Sequence, residues 1–198
     1  MVALDSRLDK AGARVAVVVE GLSDRNAIEA LAERRGIDLP TAGVRVVPLG
    51  GAHRIGGFLD ELGQRSERPR LGGLCDAGEE PVFRRALERA GLGSGLTRVD
   101  MEQLGFFVCV EDLEDELIRA LGVAGVEDIL APNGDLRRFR MLQQMPAWRD
   151  RPTGQQLRRF MGSGGRRKIR YGRLLVEALD LDRVPWPLDQ VVAHAAAQ

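Results

Sequence analysis

The sequence predicts an α/β fold in which a mostly parallel four-stranded sheet is flanked by helices and followed by a C-terminal helical extension. Three features lead there. Four apolar runs of strand length alternate with stretches of helical apolar spacing. The runs are apolar at successive residues, as in strands covered on both faces, and that burial together with the alternation favours parallel pairing. Past residue 125 no further strand signal occurs. The chain is therefore expected to divide into residues 1–125, the α/β domain, and residues 126–198, a basic helical part packed on or beside it.

The first unit is RVAVVVE (14–20), a β-branched strand, followed by the turn-like GLS and a helix through AIEALAERRG. VRVVPLG (44–50) leads into a helix around RIGGFLDELG. RLGGLCD (70–76) leads into PVFRRALERAG, where Pro81 suits a first helical turn because its missing N–H would have no partner there. FFVCV (106–110) leads into DLEDELIRALG. In the second part, DLRRFRMLQQM, TGQQLRRFM, KIRYGRLLVEAL and PLDQVVAHAAA read as short helices. Thr153 and Gln156 fit a capping box for the second of these, and Gly162 to Gly165 form a Gly/Ser linker expected to be mobile.

With 198 residues, 44% apolar and 29% charged, the chain has a globular composition and the length for one sizeable core. No apolar run approaches the ~20 residues that span a bilayer. The opening MVALDSRLDKAGA places two Asp where a signal peptide needs its apolar core. A cytoplasmic protein with reduced cysteines and no membrane partner is expected. Cys75 and Cys109 lie in apolar stretches without CxxC spacing and read as buried hydrophobes. The net charge is zero, so no global electrostatic argument for a nucleic-acid partner exists, but the charges are segregated. Asp100 to Asp135 hold ten acids against one Arg, whereas residues 137–173 hold twelve Lys or Arg against the single acid Asp150. Such blocks suit either two solvated helical faces or an acidic cation pocket beside a basic phosphate-binding surface. Lys168 stands out, because Lys10 is the only other lysine in an arginine-rich chain.

Three strand endings carry acids: Glu20, Asp76, and Glu111 with Asp112. In open parallel sheets ligands bind beyond the carboxyl ends of the strands, so these acids are expected to converge. Asp24 lies one helical turn past Glu20, and Glu114 lies one helical step past Glu111. Clustered carboxylates repel unless a cation neutralises them, and oxygen ligands suit Mg²⁺ or Mn²⁺. Any single acid could equally cap a helix, Asp112 and Asp115 above all. Coincidence at three strand ends is harder to accept. Zinc chemistry fits poorly with only His53 and His194, and His53 in GGAHRIGG reads as a solvated loop or helix-start residue. No GxSxG elbow is present, and the loop after the first strand reads EGLSDR rather than GxGxxG.

In order, VVVEGLSDRNAIEALAERRGIDL, VVPLGG, LGGLCDAGEE and FFVCVEDLEDELIRALG resemble the TOPRIM domain of the overcoming-lysogenisation-defect (OLD) nucleases, a Rossmann-like fold. The resemblance covers about residues 14–125, and a weaker likeness continues through RRKIRYGRLLVEAL and VPWPLDQVVAHA. It implies that Glu20 is the acid of the first motif, Asp24 the acid that follows it in the EGxSD form, and Asp76 the leading acid of the second motif. Asp112 with Glu114 resembles the later DLE element, and Lys168 resembles a lysine in the C-terminal helical part of those nucleases. Two departures stand out. Gly78 replaces the second Asp of the DxD pattern, which puts a second metal in question and leaves Glu79 or Glu80 as substitutes. No GxxxxGK[ST] phosphate loop occurs, so a standalone nuclease, or one working with a separate ATPase chain, is expected.

The resulting expectation is a Mg²⁺- or Mn²⁺-dependent endonuclease that cleaves or nicks DNA in preference to RNA. Metal ligands would come from Glu20, Asp24, Asp76, Glu80, Glu111, Asp112 and Glu114. Glu20, Asp76 and Lys168 would be catalytic, Lys168 donating to the phosphate in the transition state, unless it is a solvated helix-start lysine. Arg166, Arg167, Lys168, Arg170 and Arg173 would hold the nucleic-acid backbone without reading sequence. The rival expectation is a non-catalytic nucleic-acid-binding or assembly module whose site has lapsed with the DxD acid. Nucleotidyl transfer is a third.

Overall fold

The structure, a computed structural model, describes residues 13–197. The expectation about export, which rests on the segment up to Gly12, falls outside them. Four strands, β1 (Val15–Val19), β2 (Val44–Pro48), β3 (Arg70–Cys75) and β4 (Phe106–Val108), form one parallel sheet in the order β2-β1-β3-β4. Val17 pairs with Val46 on one side and with Gly72 on the other, which places β1 at the centre. β4 ends two residues earlier than FFVCV suggests. Cys109 still donates its N–H to the Cys75 carbonyl at 2.9 Å, but Val110 is exposed.

All five residues of β1 are buried, and they divide between two cores. Val15, Val17 and Val19 belong to one, Ala16 and Val18 to the other, following the two-residue period of a strand. On the first face lie α1 (Leu22–Arg34), α5 (Leu113–Leu130), α6 (Leu136–Gln143), α7 (Thr153–Gly162), α8 (Gly165–Ala178) and α9 (Trp186–Ala196). On the second lie α2 (Ile55–Gly63), α3 (Glu80–Arg89) and the short α4 (Arg98–Gln103). Pro81 sits in the first turn of α3, as its chemistry requires. The strand–helix alternation overlooks α4, although Thr97 and Asp100 form a reciprocal capping box for it at 3.2 and 2.8 Å.

The core of the first face is continuous across residue 125. α5 itself crosses that position, with a kink at Gly122 (φ 71°), and the same cluster runs on through Phe139, Tyr171, Leu175 and Val191. α1 packs closely against α8. A Cβ on Gly172 would lie 2.5 Å from the Ser23 carbonyl oxygen, so only glycine permits this approach. Asn26 donates to the Ile169 carbonyl at 3.1 Å, and Arg34 donates to the carbonyls of Val176 and Leu179 at 2.8 and 2.7 Å. α8 is thereby fixed lengthwise on α1.

Two local expectations are corrected. Thr153 is already inside α7, because Pro152 takes the capping position. Gln156 instead donates to the Trp148 carbonyl and accepts from Gln143, both at 2.8 Å. The Gly/Ser linker reduces to Ser163 and Gly164 between α7 and α8. There Ser163 donates to the Phe160 carbonyl at 2.7 Å and accepts from Arg167 at 2.8 Å. Among the described residues no helix is long and apolar enough to cross a membrane.

Candidate active site

β1 and β3 are adjacent and parallel, with Val19 opposite Leu74, so the residues that follow them emerge side by side. Glu20 follows β1. Its carbonyl accepts the N–H groups of Gly50 and Gly51 at 2.9 and 3.0 Å, and its Oε1 accepts the Asp76 N–H at 3.3 Å. Asp76 directly follows β3. Asp24, in the first turn of α1, is 8% exposed, and its Oδ2 accepts the Gly21 N–H at 2.9 Å. Glu114, in the first turn of α5, is 4% exposed. Lys168 approaches from α8 and places Nζ 3.1 Å from Glu114 Oε2.

These groups perturb one another. Burial, then the charges of Glu20, Asp24 and Asp112, push the Asp76 carboxyl up to about 8, against the pull of Lys168. Glu20 is raised by burial, opposed by its bond from the Asp76 N–H and reinforced by Asp24 and Glu79. Asp24 is raised by burial against the Gly21 N–H and Lys168. Glu114 is raised by burial, with Lys168 opposing and Asp24 and Asp112 reinforcing. For Lys168, burial favours the neutral amine, but Glu114, Asp24 and Asp76 outweigh it and hold the proton more tightly than usual. Glu20, Asp24, Asp76, Glu114 and Lys168 thus form one electrostatic unit, with more carboxylate than ammonium.

The remaining expected ligands have partners of their own. Asp112 caps α5, its Oδ1 accepting the Asp115 N–H at 2.8 Å, while Oδ2 accepts from Arg158 at 2.6 Å. Glu111 is exposed and lies 3.3 Å from the same arginine. Glu80 is paired with Arg98 through a 3.2 Å bond from Nε, and Glu79 is the neighbouring acid whose charge reaches Glu20. Asp115 pairs with Arg119, and Glu116 accepts the Val110 N–H at 2.8 Å. Only Glu114 of the acids after β4 pairs with Lys168.

The residues expected to hold nucleic acid are engaged within the protein in different ways. Arg167 lies 3.9 Å from the buried Asp135 and 4.1 Å from the centre of the Phe160 ring; Arg170 lies 4.0 Å from Asp135. Tyr171 donates to Asp135 at 3.0 Å. Arg173 is held by Glu33 and by Glu177, the latter at 2.6 Å. Arg140 adds a pair with Glu127 at 2.6 Å. Six residues of the basic segment, Arg138, Arg140, Arg158, Arg167, Lys168 and Arg170, thus pair with acids of residues 100–135. Of the five basic residues expected on nucleic acid, Arg166 is exposed and free of an ion pair among the described residues.

The donors fit a hard divalent cation in kind. All are carboxylate oxygens, they repel one another, and Glu114 Oε1 is buried without a hydrogen-bond partner. Among the described residues no three His, Cys, Asp or Glu side chains form a group already arranged to hold a metal ion. Metal binding would have to draw the carboxylates together, with Lys168 the positive charge they have meanwhile. Gly78 leaves open space, since a Cβ there meets nothing within 4 Å, and its φ is not in the left-handed region. Sequence reasoning missed Arg158, while of the two acids it offered in place of the DxD residue, Glu79 is the one whose charge reaches Glu20. A half-buried arginine beside the buried Leu157 on an amphipathic helix carries no signal of a partner 46 residues away.

Residues 13–65 match the model of the overcoming lysogenization defect protein-like TOPRIM domain. A structure of the C-terminal region of the Xanthomonas campestris pv. campestris OLD protein, phased with platinum, superposes with a TM-score of 0.71 at 25% identity, covering 93% of this chain and 92% of that one. The C-terminal region of the Burkholderia pseudomallei OLD protein superposes with a TM-score of 0.69 at 22% identity, covering 93% of this chain and 97% of that one. No curated protein matches the chain in sequence. The four-stranded parallel sheet flanked by helices is the fold of those OLD regions, and the expected likeness to an OLD-type TOPRIM domain holds.

Proposed function

Starting from a chain whose residues 13–65 are OLD-like TOPRIM and whose fold is that of OLD C-terminal regions, we infer a divalent-metal-dependent nuclease that cleaves or nicks DNA. The observation that carries this is the joint perturbation of Glu20, Asp24, Asp76 and Glu114 beyond the ends of neighbouring strands, with Lys168 among them. Those four acids would hold Mg²⁺ or Mn²⁺. The bound cation supplies an activated water and neutralises charge on the phosphate. Lys168 stays protonated throughout the neutral range and donates to a non-bridging phosphate oxygen. The Asp76 N–H steadies Glu20, and α1 holds Asp24 at nearly full burial, so metal binding would need only to draw these acids and Glu114 together. Arg166 offers a phosphate contact without sequence reading. Where the reaction needs nucleotide hydrolysis, an ATPase acting with this domain would supply it.

The rival, a nucleic-acid-binding or assembly module without chemistry, is favoured by Gly78 at the second DxD position and by acids that are not already arranged as a ligand group. A panel of supercoiled, linear and single-stranded DNA and of RNA, incubated with Mg²⁺, Mn²⁺ or EDTA, separates the two. Metal-dependent nicking of DNA is expected. Salt-sensitive binding without cleavage under every condition would favour the module.

A further inference from the structure

Arg158 belongs to none of the groups assigned above, yet it sits at the edge of the acidic unit. α7 carries it to Asp112, with Nε 2.6 Å from Oδ2, and to Glu111, with Nη1 3.3 Å from Oε2. Asp112 caps the helix whose first turn carries Glu114, so the guanidinium lies beside the element that supplies one of the four acids. We propose that Arg158 is a phosphate-binding residue of the site, parked on Asp112 and Glu111 in the substrate-free protein and transferred to a phosphodiester of the bound strand. The proposal rests on reading Glu20, Asp24, Asp76 and Glu114 as the nuclease centre.

The argument is one of which ion pair can open cheaply. Arg167 and Arg170 face Asp135, whose side chain is 6% exposed, so leaving it would strand a buried charge. Lys168 likewise covers the buried Glu114. Arg158 differs in its partners. Its side chain is 38% exposed, no more than that of Lys168, but Glu111 is 59% exposed and returns to water at little cost, and Asp112, at 17%, is less buried than Asp135 or Glu114. Asp112 keeps its capping bond to the Asp115 N–H through the other oxygen, so the start of α5 does not depend on the arginine. A guanidinium has five donors in a planar fork that matches two oxygens of a phosphate as well as it matches a carboxylate. Here the contacts to Asp112 and Glu111 engage Nε and Nη1. Nη2 remains to meet an incoming anion.

The test reads binding apart from chemistry. Affinity for a short fluorescent DNA duplex is measured by anisotropy in Ca²⁺, alongside melting temperature, for wild type, Arg158→Ala, Arg158→Lys and Glu111→Gln. Arg158→Ala is expected to weaken binding about tenfold or more with little change in melting, and Arg158→Lys to recover only part, because the fork is lost. Glu111→Gln, which removes a competitor for the guanidinium, is expected to bind as tightly as wild type or tighter. Unchanged affinity in Arg158→Ala would overturn the proposal, as would a fall in Glu111→Gln of similar size, which would make the ion pair itself the structural requirement. Should Arg158→Ala fail to fold, Arg158→Lys and Glu111→Gln still decide the matter by the same criteria. A wild-type protein that binds DNA but never cuts it in Mn²⁺ would defeat the nuclease reading alone. One that cuts while Arg158→Ala binds undiminished would defeat this proposal alone.

Discussion

Asp76 shows what the acidic site costs the fold when no metal is bound. Its carboxyl rises from an ordinary 3.8 to about 8, chiefly through burial and then through Glu20, Asp24 and Asp112. A carboxyl raised in the folded state stabilises the fold while protonated. That contribution is complete below about pH 4 and is lost as pH rises toward 8, because the unfolded chain ionises first. Glu20, Asp24 and Glu114 are shifted the same way and steepen the slope. Asp76→Asn, measured in EDTA, should therefore be more stable than wild type at pH 8, by an amount on the order of a few kcal/mol, and indistinguishable near pH 4. Parallel melting curves across that range would contradict the assigned environment. Lys168→Ala strips Glu114 of its partner while Oε1 already lacks one, so stability should fall by about 1–3 kcal/mol in urea unfolding, and cleavage should fall with it. Adding Glu114→Gln should restore much of the stability but not the cleavage; restored cleavage would demote Lys168 to a counterion. Glu20 and Asp76 were legible in the sequence because each ends a buried strand whose pairing fixes where its side chain emerges. Glu111, Asp112 and Glu114 were not separable, since the residue at which α5 begins decides which acid caps, which meets solvent and which is buried. The same one-residue ambiguity hid the difference between Glu79 and Glu80.

At the scale of elements, the contact between α1 and α8 decides the geometry of the site, because it holds Lys168 against the acids of the sheet. Gly172 allows it. Gly172→Ala would bring a methyl group to 2.5 Å from the Ser23 carbonyl oxygen, a backbone atom that cannot move aside alone. Overpacking of this kind typically costs about 1–3 kcal/mol, and prising α8 from α1 should also lower cleavage more than DNA binding. Stability and rate both at wild-type level would show that α8 does not position the lysine. The strands and their helices could be read from the sequence because continuous β-branched runs such as Val15–Val19 have few alternatives to a central strand. Thr153 misled because a capping motif names the residue types but not the frame, and Pro152 shifts the frame by one.

For the whole molecule, the segregation of charge along the chain becomes neutralisation in space. Glu127 with Arg140, Asp135 with Arg138, Arg167 and Arg170, Asp112 with Arg158, and Glu114 with Lys168 each join the acidic segment to the basic one. Linear composition could not reveal this, since all of these pairs but the local Asp135–Arg138 depend on how α6, α7 and α8 fold back over α5. The candidate site lies where the sheet and the helical part share one core, with Lys168 and Glu114 contributed by helices packed on it.

The most direct test of the nuclease assignment compares wild type with Glu20→Gln in the nicking of supercoiled DNA with Mn²⁺. The substitution removes one negative charge and retains the oxygen that accepts the Asp76 N–H, so the fold should persist and melt no lower than wild type in EDTA. The account predicts that wild type nicks the plasmid only in the presence of the metal and that Glu20→Gln, equally well folded, binds the DNA but leaves it intact. Nicking by Glu20→Gln at the wild-type rate would contradict it.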